Sequence, residues 1–217
     1  MALCELYRFK ALGITSARKP VHTHLFIEIS NGNIYIVDSV DSTKIYKSTD
    51  KGENWKYVPL SAQINNLTFS PSYSQDNTVF ISMFGGIVKS IDGGNNWTVK
   101  NNGFIKDNPG HDVDDDPLQM SATTISPSYS SDKTIFVVDG SNSAIYRSTN
   151  GGNNWNLLTK DLPGNIGSIV ISPTYTTDKV VFVGGSYLYK STNSGSTWTN
   201  MNFTQGIYGI VIAGETF

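Results

Sequence analysis

Short runs of β-branched and aromatic residues recur along the chain and are separated by Pro, Gly, Asn and Asp. Three of these runs are Thr78–Ser82, Thr134–Val138 and Val180–Val183. Runs of this length and composition, bounded by turn residues, are typical of β-strands. The pattern therefore predicts an all-β chain built from many short strands.

A box of eight residues with the pattern Ser-x-Asp/Asn-x-Gly-x-x-Trp occurs four times and contains every tryptophan of the chain. The tryptophans are 42, 58 and 43 residues apart, so one repeat spans about 42 residues, with about 16 extra between the second and third boxes. We expect the boxes to have a structural role, because the Asp or Asn can accept N–H groups of its own turn. The box residues are Ser48, Asp50, Gly52 and Trp55; Ser90, Asp92, Gly94 and Trp97; Ser148, Asn150, Gly152 and Trp155; and Ser191, Asn193, Gly195 and Trp198.

A second repeated block precedes three of the boxes, at Phe69–Asp76, Ile125–Asp132 and Ile171–Asp178. Each repeat then holds four predicted strands, for example at 64–70, 78–84, 86–91 and 97–101. A four-stranded unit of this size has open edges and must stack radially on its neighbours. The sequence therefore predicts a β-propeller of four-stranded antiparallel blades.

The box pattern resembles the Asp-box, or BNR, repeat of sialidases, xyloglucanases, sortilin and photosystem-assembly propellers. The resemblance covers roughly residues 23 to 217. It implies a propeller fold and leaves the activity open, because a fold does not by itself determine function.

We interpret the chain as a single propeller domain, with five blades as the leading architecture. An arc of a larger propeller, or one completed by a second copy, is the alternative. In the five-bladed model, strands from both ends of the chain form one composite blade, which removes open edges. The predicted divisions are an N-terminal segment at 1–22, blade 1 at 23–60, blade 2 at 61–101, an insertion at 102–119, blade 3 at 120–160, blade 4 at 161–203 and a closing strand at 204–217.

Composition and charge exclude some classes of protein. The net charge is −2 and there is no basic run, which argues against nucleic-acid binding. With Cys4 as the only cysteine, an intramolecular disulfide is impossible. No apolar stretch is long enough for membrane insertion or a signal peptide, so the sequence favours a soluble chain. Its compartment stays unknown: cytoplasmic as given, or extracellular if it is a fragment that lost an export signal.

Departures from the repeat are predicted to share the face opposite the boxes, where the second strand of each blade connects to the third and the fourth strand connects to the next blade. The insertion contains an acidic run there, and an addition that a blade does not need is a candidate for function. Aromatic and acidic residues of other connections are expected nearby. The candidate binding residues are Asp38, Asp41, Phe84, His111, Asp112, Asp114, Asp115, Asp116, Asp139 and Tyr187.

Three interpretations of the acidic run remain open. Asp112, Asp114 and Asp116 alternate as in a calcium loop, but Pro117 replaces the required Gly and Thr123 stands where the Glu belongs. Paired carboxylates, including Asp139, are the candidates for glycoside hydrolysis. The third interpretation is a hydrated acidic loop without a ligand.

Sialidases are similar in their repeat but use three arginines on the substrate, and only Arg8, Arg18 and Arg147 occur here, in positions that do not fit that role. The leading functional hypothesis is therefore a non-catalytic module, without cofactor, that binds a protein or a carbohydrate. Self-association is expected if the ring is incomplete. The alternative is a glycoside hydrolase, sialidase-like or xyloglucanase-like, or a fragment of one.

Overall fold

The strands form where β-branched and aromatic residues can be buried, and the turns form at Gly, Asn and Asp. The computed structural model describes residues 27–30, 33–38, 41–105, 118–160, 162–203, 205–207 and 209–212. Within these residues the strands are β1 Ile27–Ser30, β2 Asn33–Val37, β3 Lys44–Ser48, β4 Lys56–Pro59, β5 Ile64–Phe69, β6 Val79–Met83, β7 Gly86–Ser90, β8 Thr98–Val99, β9 Met120–Ile125, β10 Ile135–Asp139, β11 Ala144–Ser148, β12 Asn156–Thr159, β13 Ile166–Ile171, β14 Val181–Gly185, β15 Leu188–Ser191 and β16 Thr199–Asn200.

The strands make four sheets of four strands each, in the orders β1-β2-β3-β4, β5-β6-β7-β8, β9-β10-β11-β12 and β13-β14-β15-β16. We number these sheets blades 1 to 4. The prediction of an all-β chain with four-stranded antiparallel blades is confirmed. In blade 3, for example, Ile135 pairs with Ile125 on one side and with Ser148 on the other. Every residue of β6 and β10 is buried, which explains why these strands are apolar without alternation.

Each Ser-Pro-Tyr block forms one helical turn, at α1 Tyr73–Asp76, α2 Tyr129–Asp132 and α3 Tyr175–Asp178. In blade 3, Ser126 Oγ donates to Asp132 Oδ2 at 2.6 Å, and Lys133 follows in the left-handed conformation with φ of 51°. The N–H of the box residue Gly151 then donates to the Lys133 carbonyl at 3.0 Å. The Ser-Pro-Tyr block and the box therefore lie at the same end of the blade.

The chain divides into two compact units between Ile64 and Asn65. The first unit contains blade 1, in which Ile34, Tyr35 and Ile45 are buried. Its β2 pairs with β3 so that Ile36 faces Tyr46 across the ladder.

The second unit contains blades 2 to 4, which pack on one another through two apolar clusters. The first joins Phe80 and Ile87 of blade 2 to residues of blade 3 that include Val137 and Tyr146. The second joins Phe136 on the other face of blade 3 to residues of blade 4 that include Val183. Blade 3 is thus packed on both of its faces, as a propeller blade requires.

The predicted composite fifth blade remains a prediction. Its N-terminal part, residues 1–22, lies outside the described residues. At the other end, residues 205–207 and 209–212 contain no strand, although the Ile207 N–H donates to the Gly185 carbonyl at 2.6 Å. Among the described residues no helix is both long and apolar enough to cross a membrane.

Candidate functional site

In the second unit, a series of hydrogen bonds connects the turns between second and third strands to the segments that enter blades 3 and 4. The Gly85 N–H of blade 2 donates to the Leu118 carbonyl at 2.7 Å, and the Gly140 N–H of blade 3 donates to the Gln119 carbonyl at 2.8 Å. Ser143 Oγ of blade 3 then donates to the Gly164 carbonyl, which precedes blade 4, at 3.2 Å. We call the surface formed by the turns 84–85, 140–143 and 185–187 the connection face.

Asp139 lies at this face but is withdrawn from solvent, with an exposed fraction of 0%. Its Oδ1 accepts the Gln119 N–H at 3.2 Å and the Ser141 hydroxyl at 2.7 Å, and its Oδ2 accepts Asn142 Nδ2 at 2.9 Å. A buried carboxylate with this many donors is stabilised in a fixed position. Asp139 therefore holds the turn 140–143 of blade 3 to Gln119, which precedes the first strand of that blade.

Phe84 and Tyr187 are the aromatic residues that the connection face exposes. Their exposed fractions are 41% and 38%. Tyr187 packs edge-on against Tyr189 at 6.3 Å between ring centroids, and the Tyr189 hydroxyl donates to the Pro163 carbonyl at 2.9 Å. Phe84 is held by a β-bridge to Gln119. Both rings are open to solvent, the Tyr187 ring packs on Tyr189 and the Phe84 backbone is fixed by its bridge, which suits contact with a ligand.

In the first unit, Asp38 and Asp41 are used within the turn between β2 and β3. Asp38 Oδ1 accepts the Asp41 N–H at 3.2 Å. Asp41 Oδ2 forms an ion pair with Lys44 at 2.7 Å, and its Oδ1 accepts the Thr43 N–H at 3.2 Å. The Lys44 ammonium and the Thr43 donors lower the pKa of Asp41 to about 2. This carboxylate is thus a base of low proton affinity.

The described residues on either side of the acidic insertion are firmly attached. Asn101 Oδ1 accepts the Ile87 N–H at 2.9 Å, and Asn101 Nδ2 donates to the Gly85 carbonyl at 2.8 Å. Phe104 stacks on Trp155 with ring centroids 5.1 Å apart. The structural roles of Asn101, Phe104 and Gln119 were missed in the sequence, where the only signal is that they flank the departure from the repeat.

The central residues of the insertion, His111, Asp112, Asp114, Asp115 and Asp116, lie outside the described residues, and their role stays a prediction. In the described part of the chain, no three His, Cys, Asp or Glu side chains come together as a metal site would require.

The four boxes share one hydrogen-bond pattern whether the third residue is Asp or Asn. Asp92 Oδ1 accepts the Asn96 N–H at 2.9 Å, and Asn150 Oδ1 accepts the Asn154 N–H at the same distance. The corresponding bonds in the other boxes run from Asn54 to Asp50 and from Thr197 to Asn193, also at 2.9 Å. The third residue of each box thus accepts the hydrogen bond that closes its own turn. An amide oxygen makes this bond at the same distance as a carboxylate oxygen.

Four-stranded blades that repeat and pack face to face define the chain as a β-propeller. The model of the DUF6242 beta propeller domain matches residues 14–208, and the chain belongs to this family. A search of curated proteins finds no match.

Solved structures with the same fold have different activities. An ancestral GH74 enzyme superposes with a TM-score of 0.61 at 18% identity, over 84% of this chain and 25% of that one. Virginiamycin B lyase from Staphylococcus aureus, solved as an inactive variant with quinupristin, gives 0.59 at 17% identity, over 86% and 57%. YCF48 bound to D1 peptide gives 0.52 at 15% identity, over 80% and 50%. The chain therefore spans less than two thirds of each of these proteins.

Proposed function

We propose that this chain is a non-catalytic binding module whose connection face takes a protein or carbohydrate ligand. One observation carries the proposal. The carboxylates described at the connections, Asp38, Asp41 and Asp139, are engaged in turn hydrogen bonds or an ion pair, whereas the aromatic rings of Phe84 and Tyr187 are exposed. Rigidly held aromatic rings on a stable scaffold are suited to binding.

A protein ligand agrees with one of the similar structures, since YCF48 is bound to a peptide there. A carbohydrate also fits, because sugar rings stack on exposed aromatic faces. The net charge of −2 disfavours nucleic acid. Calcium binding by Asp112, Asp114 and Asp116 remains a separate hypothesis for the insertion.

The alternative of a glycoside hydrolase needs two carboxyl groups on opposite sides of a scissile bond, separated by about 5 to 9 Å. Asp139 is unsuited to this because its oxygens face Gln119, Ser141 and Asn142 instead of solvent. The alternative therefore depends on Asp112 to Asp116 supplying both groups.

The binding proposal is tested with a displayed peptide library and a glycan array probed with the purified chain. We expect a selected ligand to bind Phe84→Ala and Tyr187→Ala at least about tenfold more weakly, since each removes an exposed ring from the contact. Ile91→Ala is the matched control, because Ile91 is exposed within a box and away from the connection face.

Equal binding by all three variants would place the ligand elsewhere and contradict the proposal. Release of reducing sugar from xyloglucan by the wild-type chain, abolished in Asp112→Asn or Asp116→Asn, would support the hydrolase instead.

A further inference from the structure

Successive blades of the second unit meet through one repeated pair of surfaces. Lys89 of blade 2 donates from Nζ to the carbonyl of Gly151, in the box of blade 3, at 3.0 Å. Beside it, Phe80 lies against Gly152, where an added Cβ would be 3.1 Å from the ring. We call the surface with the aromatic residue and the cation the leading face, and the surface with the box the trailing face.

Blades 3 and 4 repeat this contact with equivalent residues. Arg147 Nη1 donates to the Ser194 carbonyl, in the box of blade 4, at 3.0 Å. Phe136 lies against Gly195, with 3.5 Å between the ring and an added Cβ. A leading face therefore recognises two features of a box: a carbonyl directed at a cation, and a glycine that leaves room for an aromatic ring.

Among the described residues, no box covers the leading face of blade 4. Its aromatic residue, Phe182, is half-buried, whereas the equivalent residues Tyr35, Phe80 and Phe136 are buried. Lys190 occupies the position of Arg147, but its ammonium lies over the Phe182 ring of its own blade, 5.6 Å from the centroid.

The segment after blade 4 covers the leading face in part. Ile207 and Ile210 lie near Gly184, where an added Cβ would be 2.7 Å and 3.0 Å from them. The rest of the leading face of blade 4, with Phe182, Leu188 and Lys190, is half-exposed. The ammonium of Lys190 and the ring of Phe182 thus stay available to a box.

The box of blade 1 has the complementary property. Its glycine, Gly52, is half-buried, whereas Gly94, Gly152 and Gly195 of the other boxes are buried. Tyr46 on its trailing face is half-buried too, whereas the equivalent Tyr146 and Tyr189 of blades 3 and 4 are buried.

We infer that the leading face of blade 4 binds the box of blade 1 in a second copy of this chain. Lys190 Nζ would donate to the Lys51 carbonyl, which occupies the place of the Gly151 and Ser194 carbonyls, and Phe182 would cover Gly52. The occupant follows from the repeat, because the two half-covered surfaces are the two halves of the contact that joins blade 2 to blade 3 and blade 3 to blade 4.

Such a contact is head-to-tail and not self-complementary, so it closes only if the rotation between copies completes a ring. The smallest assembly that this contact can form is a dimer.

Sedimentation of the full chain tests this inference. We expect a dimer of twice the 23.7 kDa chain mass. Phe182→Glu should weaken dimerisation about a hundredfold or more, because it removes the ring that would cover Gly52 and attracts the Lys190 ammonium away from the Lys51 carbonyl. Ile91→Glu is the matched control, since Ile91 is exposed on a box surface, and it should leave the dimer intact. Circular dichroism checks that each variant is folded.

Mixing two variants distinguishes head-to-tail contact from any symmetric one. Ile36 has the register position of Val137, which packs on the trailing side of blade 3 with Phe80, so Ile36→Glu damages only the trailing face of blade 1. Phe182→Glu damages only the leading face of blade 4. Each alone should be a monomer, whereas an equal mixture should form a heterodimer through the one intact pair of faces. A monomeric wild-type chain, as the composite fifth blade would give, overturns the inference, and so does a mixture that stays monomeric.

Discussion

The hydroxyl of Ser148 organises the turn of its box through three hydrogen bonds. Its Oγ accepts the N–H groups of Asn150 and Gly152 at 3.3 and 2.9 Å, and it donates to Asn150 Oδ1 at 2.9 Å. Ser148 is fully buried, so water cannot replace these bonds. The first position of the box is therefore as constrained as the third, which explains why serine occupies it in all four repeats.

Replacement of Ser148 by alanine should lower the free energy of unfolding by about 1 to 3 kcal/mol, because the buried Gly152 N–H loses its acceptor. Ser131→Ala is the matched control. Ser131 is exposed and donates to the Ser128 carbonyl at the surface, so its loss should cost less than about 0.5 kcal/mol. Urea denaturation of both variants measures the difference, and equal costs would contradict the role assigned to Ser148.

At the scale of secondary structure, the sequence predicted the strands well because each is a short apolar run between turn residues. It did not predict the helical turn Tyr73–Asp76, which is too short to show helical periodicity and is held by the bond from Ser70 Oγ to Asp76 Oδ2 at 2.6 Å. The strand predicted at 97–101 is shorter, Thr98–Val99, because Asn101 bonds to the Gly85 carbonyl through its side chain.

The box turns should also make stability depend on pH. The Asn54 and Asn96 donors lower the pKa of Asp50 and Asp92 from 3.8 to about 2. A carboxyl group whose pKa is lower in the folded state stabilises the fold above its unfolded pKa, and this contribution is lost as the pH falls towards the folded pKa. The wild-type melting temperature should therefore fall between about pH 4 and about pH 2.

The double variant Asp50→Asn/Asp92→Asn should show a shallower fall, since an amide closes the turn without titrating. Asn150→Asp is the converse variant, because it adds a carboxylate to a box and should make the fall steeper. Calorimetry across this pH range measures all three proteins. Parallel curves would show that the box carboxylates do not contribute to the acid dependence.

For the whole molecule, the sequence predicted where a residue lies in the repeat better than it predicted what its side chain contacts. Register along the repeat predicted that Phe84, Asp139 and Tyr187 belong to the connections between second and third strands. Phe84 and Tyr187 lie in such connections, and Asp139 is the last residue of the strand that leads into one. The register could not show that Asp139 is buried, because the donors that surround it come from Gln119, which enters the blade, and from the turn itself. Residues outside the repeat leave no periodic pattern in the sequence, so their hydrogen bonds to Asp139 could not be predicted from it.

Packing between blades leads to a prediction about local stability. Blade 3 is covered on both faces within the second unit, whereas Phe182 and Leu188 on the leading face of blade 4 are half-exposed. In repeat proteins, stability depends on contacts between neighbouring repeats. Amide hydrogens of Ile135–Asp139 should therefore exchange at least about tenfold more slowly than those of the equivalent strand Val181–Gly185 in dilute protein.

Hydrogen exchange followed by mass spectrometry measures both strands in one experiment. Raising the protein concentration should slow exchange in Val181–Gly185 and Leu188–Ser191, because a second copy would cover the leading face, and should leave Ile135–Asp139 unchanged. Since the comparison is made within one chain, a general change in stability would move both strands together. Equal protection of the two strands at every concentration would mean that blade 4 is already covered within its own chain.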